Sequence, residues 1–212
     1  MDSIEIVYTI IFVVGTFAMS ISGALTAMAK RFDAFGILII GFITAVGGGT
    51  TRDILANKTV FWLVDPMYTY SILAGSIFAI MYRKKLNQLL KPLMVFDTIG
   101  LAMFTVVGVE IGIQSELTVI SCIILGTVTG CMGGILRDIF VNEIPVIFQK
   151  EIYATVSIVG GAMYMAFYYL EAPYVITQFV PILFIIVVRT FIVRYRVSFP
   201  EISQDGNDKR ID

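Results

Sequence analysis

A chain of 212 residues that is 58% hydrophobic and 15% charged, with a mean hydropathy of +0.88, is too apolar for a soluble domain, where about a quarter of residues carry charge. The composition is that of an integral membrane protein. A net charge of −1 by itself says nothing about nucleic acid, but no concentrated basic face is visible and no such partner is expected; the absence of histidine removes the usual zinc ligand and neutral-pH proton carrier. No metal and no cofactor is expected.

The chain opens on Met1-Asp2-Ser3-Ile4-Glu5, and no Lys or Arg precedes Lys30. The basic start of a cleavable signal peptide is missing, so the first apolar run is expected to remain as a span. Runs long enough to cross a bilayer, about 20 residues each, predict seven spans. They are Ile4 to Met28, Ala34 to Asn57, Met67 to Tyr82, Leu93 to Ile113, Leu117 to Val141, Ile152 to Leu170 and Tyr174 to Val193. A polar stretch, Ser198 to Asp212, with Pro200, Gly206 and mixed charges, reads as a disordered tail.

Cations fix the expected orientation. Lys30, Arg31, Arg83, Lys84, Lys85, Lys91, Arg137, Lys150, Arg189, Arg194, Arg196, Lys209 and Arg210 fall on the side of the C-terminus, and only Arg52 and Lys58 on the other. The positive-inside rule puts the N-terminus outside and the C-terminus in the cytoplasm. Aromatics such as Tyr8, Trp62, Tyr68, Tyr70, Tyr168, Tyr169 and Tyr174 lie near span ends, as interfacial anchors do.

Within the second span lies Gly47-Gly48-Gly49-Thr50-Thr51-Arg52-Asp53, and 85 positions later, in the fifth, Met132-Gly133-Gly134-Ile135-Leu136-Arg137-Asp138. Between Gly41–Asn57 and Gly126–Asn142, eight of seventeen positions are identical: Gly41, Thr44, Gly48, Gly49, Arg52, Asp53, Ile54 and Asn57. Gly15 with Gly100, Gly23 with Gly108, Tyr68 with Tyr153 and Gly75 with Gly160 keep the same register. The chain reads as a duplication. Three spans is an odd number, so the second copy must enter the membrane from the opposite face, giving two inverted three-helix repeats. The expected layout is residues 1–82 and 83–170 as the repeats, 171–197 as a seventh helix covering them, and 198–212 as a cytoplasmic tail.

Each glycine cluster falls near the middle of its span and suggests a broken or kinked helix whose free carbonyls suit a cation. The same residues also form small-residue stripes, Gly41-Ala45-Gly49 and Gly126-Gly130-Gly134, of the kind that lets helices approach closely. We expect both: a close crossing of spans two and five that kinks beside a permeation path. Arg52-Asp53 and Arg137-Asp138 lie one to two turns from the surfaces, where a charge is costly and usually marks a pathway or a pair. Arg52 has two candidate partners, its neighbour Asp53 or a group on another span, and the alternative is that these charges snorkel to the interface. Asp97 aligns with Phe12 and is therefore an asymmetric charge, either a first-turn carboxylate after Pro92 or an acid facing Lys or Arg. Glu110 and Glu116 are expected to form a solvated, cation-attracting mouth. Ser20, Ser22, Thr44, Thr50, Thr105 and Thr129 offer hydroxyls to a wet path or to their own helix backbone.

Chemistry is poorly represented. The glycine triplet does not fit GxxxxGK[ST], and no nucleophile and base stand in a convincing pattern, so no enzyme is expected. Cys122 and Cys131, nine residues apart on one predicted helix, are separated by about 13 Å along its axis and cannot bond to each other within it.

The GGGTTRDIL stretch at Gly47 to Leu55, its second copy GGILRDIF at Gly133 to Phe140, and the seven-span plan resemble the trimeric intracellular cation channel family and the bacterial glycine-transporter family that shares its fold. The resemblance covers spans one to six. It implies a homotrimer in the prokaryotic cell (inner) membrane, surrounded by lipid. Each subunit would carry its own pore around kinked second and fifth spans, conducting monovalent cations such as potassium. The kink or pore positions would be Gly47, Gly48, Gly49, Thr50, Thr44, Thr129, Gly133 and Gly134. The motif charges are Arg52, Asp53, Arg137 and Asp138, with Asp97 as a further pore charge. The chain departs from the bacterial pattern at Val60, where a proline often precedes Phe61-Trp62, and keeps Pro145 in the second copy; it lacks the Lys-Glu-Val run of the animal channels. A carrier for a small zwitterion such as glycine stands as the alternative.

Overall fold

The structure, a computed structural model, describes residues 3–86, 92–148 and 152–195. The expected tail 198–212, and with it Lys209 and Arg210, lies outside the described residues, as do Lys91, Lys150 and Arg196. Within them the chain is all-helical: α1 (Ser3–Ala29), α2 (Ala34–Leu55), the short α3 (Phe61–Val64), α4 (Pro66–Leu86), α5 (Pro92–Gln114), α6 (Val119–Phe140), α7 (Ala154–Tyr169) and α8 (Tyr174–Tyr195), with a 3₁₀ turn at Val146–Phe148. Five of them, α1, α2, α5, α6 and α8, are long and apolar enough to cross a membrane. The expected third and sixth spans correspond to α4, which ends on Arg83, Lys84 and Lys85, and to α7, only 16 residues long.

Local chemistry sets the helix limits, and it does so twice. Asp33 caps α2 by accepting from the Gly36 N–H at 2.8 Å, and Thr118, 85 positions on, caps α6 by accepting from Ser121 N–H at 3.3 Å. Both helices stop at an asparagine in the left-handed region, Asn57 with φ 52° and Asn142 with φ 57°, a conformation asparagine tolerates better than most residues. Beyond it the Lys58 and Glu143 amides reach back to the Asp53 and Asp138 carbonyls, each at 2.8 Å, which closes the last turn.

Helix α1 packs on α2, α4 and α5; α5 packs on α6, α7 and α8; and α2 lies against α6. The centre is filled by Ile11, Phe12, Met19, Leu101 and Phe104, all buried. Buried hydroxyls bind neighbouring helices, with Ser20 against Ser76 at 2.7 Å and Thr105 against Ser157 at 2.6 Å. Large apolar side chains such as Phe35, Ile120, Leu183 and Phe191 instead face outward, as on a surface whose solvent is lipid.

One expectation is corrected here. Helices α2 and α6 run without interruption through Gly47–Gly49 and Gly133–Gly134, so the glycines do not break the helix and free no carbonyl. In hydrocarbon an unpaired backbone group costs several kcal/mol, whereas glycine in a helix interior costs only about 1 kcal/mol relative to alanine. The hydrogen-bonded ladder therefore persists, and the glycines act through what they lack.

Candidate functional site

Their missing Cβ atoms bring two backbones together. A Cβ at Gly48 would collide with the carbonyl oxygen of Thr129, and one at Gly133 with that of Thr44. At the flanks, Gly23 and Gly108 make the same allowance for the side chains of Thr44 and Thr129. Thr44 and Thr129 are fully buried at this crossing. Each turns its hydroxyl onto its own helix, to the carbonyls of Ile40 and Leu125, both at 2.6 Å. Thr50 is half-buried and accepts from the Trp62 indole N–H at 3.0 Å. Gly47 faces Leu136 and Gly49 the Phe61 ring, while Gly134 has Tyr153 Oη 3.2 Å and Asp97 Oδ1 3.4 Å from its would-be Cβ.

One turn beyond the crossing on each helix stands an Arg-Asp pair. Arg52 and Arg137 are 1% and 2% exposed, so neither reaches the interface. Arg52 pairs with its own neighbour: Nε donates to Asp53 Oδ1 at 2.8 Å and Nη2 lies 2.7 Å from the same oxygen. Arg137 repeats the Nε contact to Asp138 Oδ1 at 2.8 Å. The other carboxylate oxygen of each aspartate ties down the chain after its helix. Asp53 Oδ2 accepts from Phe61 N–H at 2.8 Å and Asp138 Oδ2 from Val146 N–H at 3.1 Å.

The pairs differ in what completes them. Asp97, from α5, accepts from Arg137 Nη1 at 2.6 Å, and the same nitrogen lies 2.7 Å from Ser22 Oγ of α1. Of its two readings, Asp97 takes the one facing a cation. In the other half, the position of Asp97 is held by Phe12, whose ring centroid lies 4.8 Å from the Arg52 guanidinium carbon, with Phe61 at 5.7 Å. Arg52 Nη1 is buried with no hydrogen-bond partner among the described residues. No ion pair joins the two clusters among those residues. A cavity of about 400 Å³ reaches Arg137 and Asp138 from the side of Lys30 and Glu143, which form an exposed ion pair.

Glu110 corrects a second expectation. It is not a solvated mouth residue but a buried one, 9% exposed. It accepts from Gln178 Nε2 at 2.6 Å and from the Tyr174 hydroxyl at 3.0 Å, both on α8. Glu116 is exposed, in the turn after α5. Sequence reasoning missed this cluster because its members lie 64 and 68 positions apart; the only signal was a lone glutamine inside an apolar helix. It also missed the aromatic seat of Arg52, although the alignment of Phe12 with Asp97 pointed there.

The fold defines an all-helical integral membrane protein, and the chain carries the Arg-Asp motif twice. The model of the family described as "Glycine transporter" matches the chain twice, over residues 9–84 and 94–169, and the chain belongs to that family. The UPF0126 inner membrane protein YadS of Escherichia coli K12 is 35% identical over 200 residues, covering 93% of this chain and 97% of that one. A UPF0126 membrane protein of Vibrio cholerae is 39% identical over 151 residues, 69% of this chain and 62% of that one. Among solved structures, one reported as the basis for conductance through TRIC cation channels superposes with a TM-score of 0.84 at 30% identity, over 94% of this chain and 98% of that one. The TRIC trimeric intracellular cation channel orthologue from Rhodobacter sphaeroides gives 0.85 at 30% identity, over 90% and 99%. The chain thus joins the TRIC-type fold to the glycine-transporter family.

Proposed function

We propose that the protein is a membrane cation channel that conducts monovalent cations, potassium foremost, through a pore within each subunit of a homotrimer. The observation that carries this reading is the similarity, along nearly the whole chain, to a structure described by its conductance. Residues 1–82 and 83–170 act as inverted repeats, α4 and α7 complete seven crossings with the N-terminus outside, and 171–197 supplies the peripheral helix. Helices α2 and α6 line the path and bend at Gly47–Gly49 and Gly133–Gly134 as it opens. With Thr44 and Thr129 fully buried, conduction requires the two helices to part at their crossing. The hydroxyls of Thr44, Thr50 and Thr129 then turn to the ion, and Arg52-Asp53 and Arg137-Asp138-Asp97 guard the two approaches. A channel needs only such a weakly binding wet path.

A carrier for a small zwitterion is the second reading. It is favoured by the family's description and by Nη1 of Arg52, which has no hydrogen-bond partner among the described residues and corresponds to the nitrogen that meets Asp97 in the other half. Planar-bilayer recording in potassium gradients, run beside radiolabelled glycine uptake into liposomes, separates the two. Discrete potassium currents without saturable glycine uptake are expected; saturable uptake without currents would sink the channel. The double variant Gly48→Leu with Gly133→Leu is expected to insert and to transport nothing, and full activity in it would remove the crossing from the mechanism.

A further inference from the structure

Four carboxylates are buried among the described residues: Asp53, Asp97, Glu110 and Asp138. Three of them pair with an arginine. Glu110 is held by neutral donors alone, the Gln178 amide and the Tyr174 hydroxyl, and forms no ion pair among the described residues. The second hydrogen of the same amide group goes to the Tyr164 hydroxyl at 3.0 Å, so three helices converge to hold the carboxylate in place. An uncompensated buried charge is strongly unfavourable, and this one is held facing a cavity.

That cavity, of about 580 Å³, opens at the ends of α5, α7 and α8. Glu110 lines it together with Tyr164, Tyr168, Tyr169 and Tyr174, and the exposed Glu171 stands at its edge. No Lys or Arg is among its lining residues; Lys58 touches only the rim, donating to Gln114 Oε1 at 3.3 Å. Aromatic faces attract cations through the ring quadrupole, and cages of them suit alkylated ammonium groups. The volume falls in the range of small-molecule sites, about 300–1,000 Å³, far larger than a bare alkali ion requires.

We propose that this cavity is a binding site for a small organic ammonium ion, with Glu110 as the counter-charge and the tyrosine rings as its walls. None of the residues that line this cavity belongs to α2 or α6, so the proposal does not depend on whether their crossing conducts or carries. The test is calorimetric titration of the purified full-length protein with tetramethylammonium and with its neutral isostere neopentane carrying a solubilising hydroxyl, 2,2-dimethylpropan-1-ol, at constant ionic strength. Saturable tetramethylammonium binding is expected, about tenfold or more tighter than the neutral compound. Glu110→Gln keeps an acceptor for Tyr174 and removes the charge, and is expected to lower tetramethylammonium affinity by about tenfold or more. Tyr169→Leu alters a side chain that is 65% exposed, and a several-fold loss is expected. Equal affinity for the two compounds, or undiminished tetramethylammonium binding in Tyr169→Leu, overturns the proposal even if Glu110→Gln fails to fold.

Discussion

The two Arg-Asp clusters share a backbone and differ in their company. Each arginine grips its neighbouring aspartate through Nε at 2.8 Å, and each aspartate then anchors the segment after its helix. Arg137 is completed by a carboxylate and a hydroxyl from other helices, Asp97 and Ser22, whereas Arg52 is completed by the rings of Phe12 and Phe61. One cluster balances a cation with two anions; the other leaves a guanidinium nitrogen with no hydrogen-bond partner among the described residues. The two motifs agree in the contacts that tie down the chain after each helix and differ in what meets the outer end of each arginine.

That comparison can be broken at its charges. Arg137→Leu strands Asp97 and Asp138 together, and breaking such a buried pair costs about 3–5 kcal/mol. Arg52→Leu strands only Asp53, so it should destabilise less. Chemical unfolding of both variants in detergent ranks them, and equal losses would mean that Asp97 adds nothing to the cluster at Arg137.

A smaller effect is expected at the crossing. Gly48→Ala drives a methyl into a backbone carbonyl that cannot swing aside, and overpacking of this kind costs about 1–3 kcal/mol. Gly134→Ala meets its nearest neighbour, the Tyr153 hydroxyl, at 3.2 Å, and is expected to melt close to the parent protein. A Gly48→Ala melting temperature no lower than that of Gly134→Ala would deny the close contact of α2 with α6. The smallest change is Phe12→Leu, which keeps bulk but removes the ring over Arg52, a contact worth about 0.5–2 kcal/mol. The same substitution leaves Arg137 untouched, so pairing it with Asp97→Asn measures how differently the two arginines are seated.

Much of this was legible in the residues. Apolar runs located the long helices to within a few residues, because a membrane demands long, uninterrupted, hydrogen-bonded segments. The spacing of 85 positions located both motifs, since equivalent caps and identical asparagine stops and Arg-Asp steps are local features that recur where the local sequence recurs. Asp33 and Thr118, Asn57 and Asn142 are examples written into single residues and their immediate neighbours.

Partnership was not legible. A glycine triplet at mid-membrane predicts a break as readily as a close crossing, and only the carbonyl of Thr129 lying against Gly48 decides between them. Arg52 could pair with a neighbour or across the bundle, and Glu110 could face water or the interior. Arg52 takes its own neighbour Asp53, whereas Arg137 also meets Asp97 and Ser22, 40 and 115 positions away, and Glu110 meets Gln178, 68 positions away, contacts that form only once the bundle has packed. The sequence by itself determined where the helices and their doubled motif lie, because those follow from local periodicity and capping. Tertiary structure alone decided which buried charges are balanced, because balance is a property of what surrounds a group and not of the group itself.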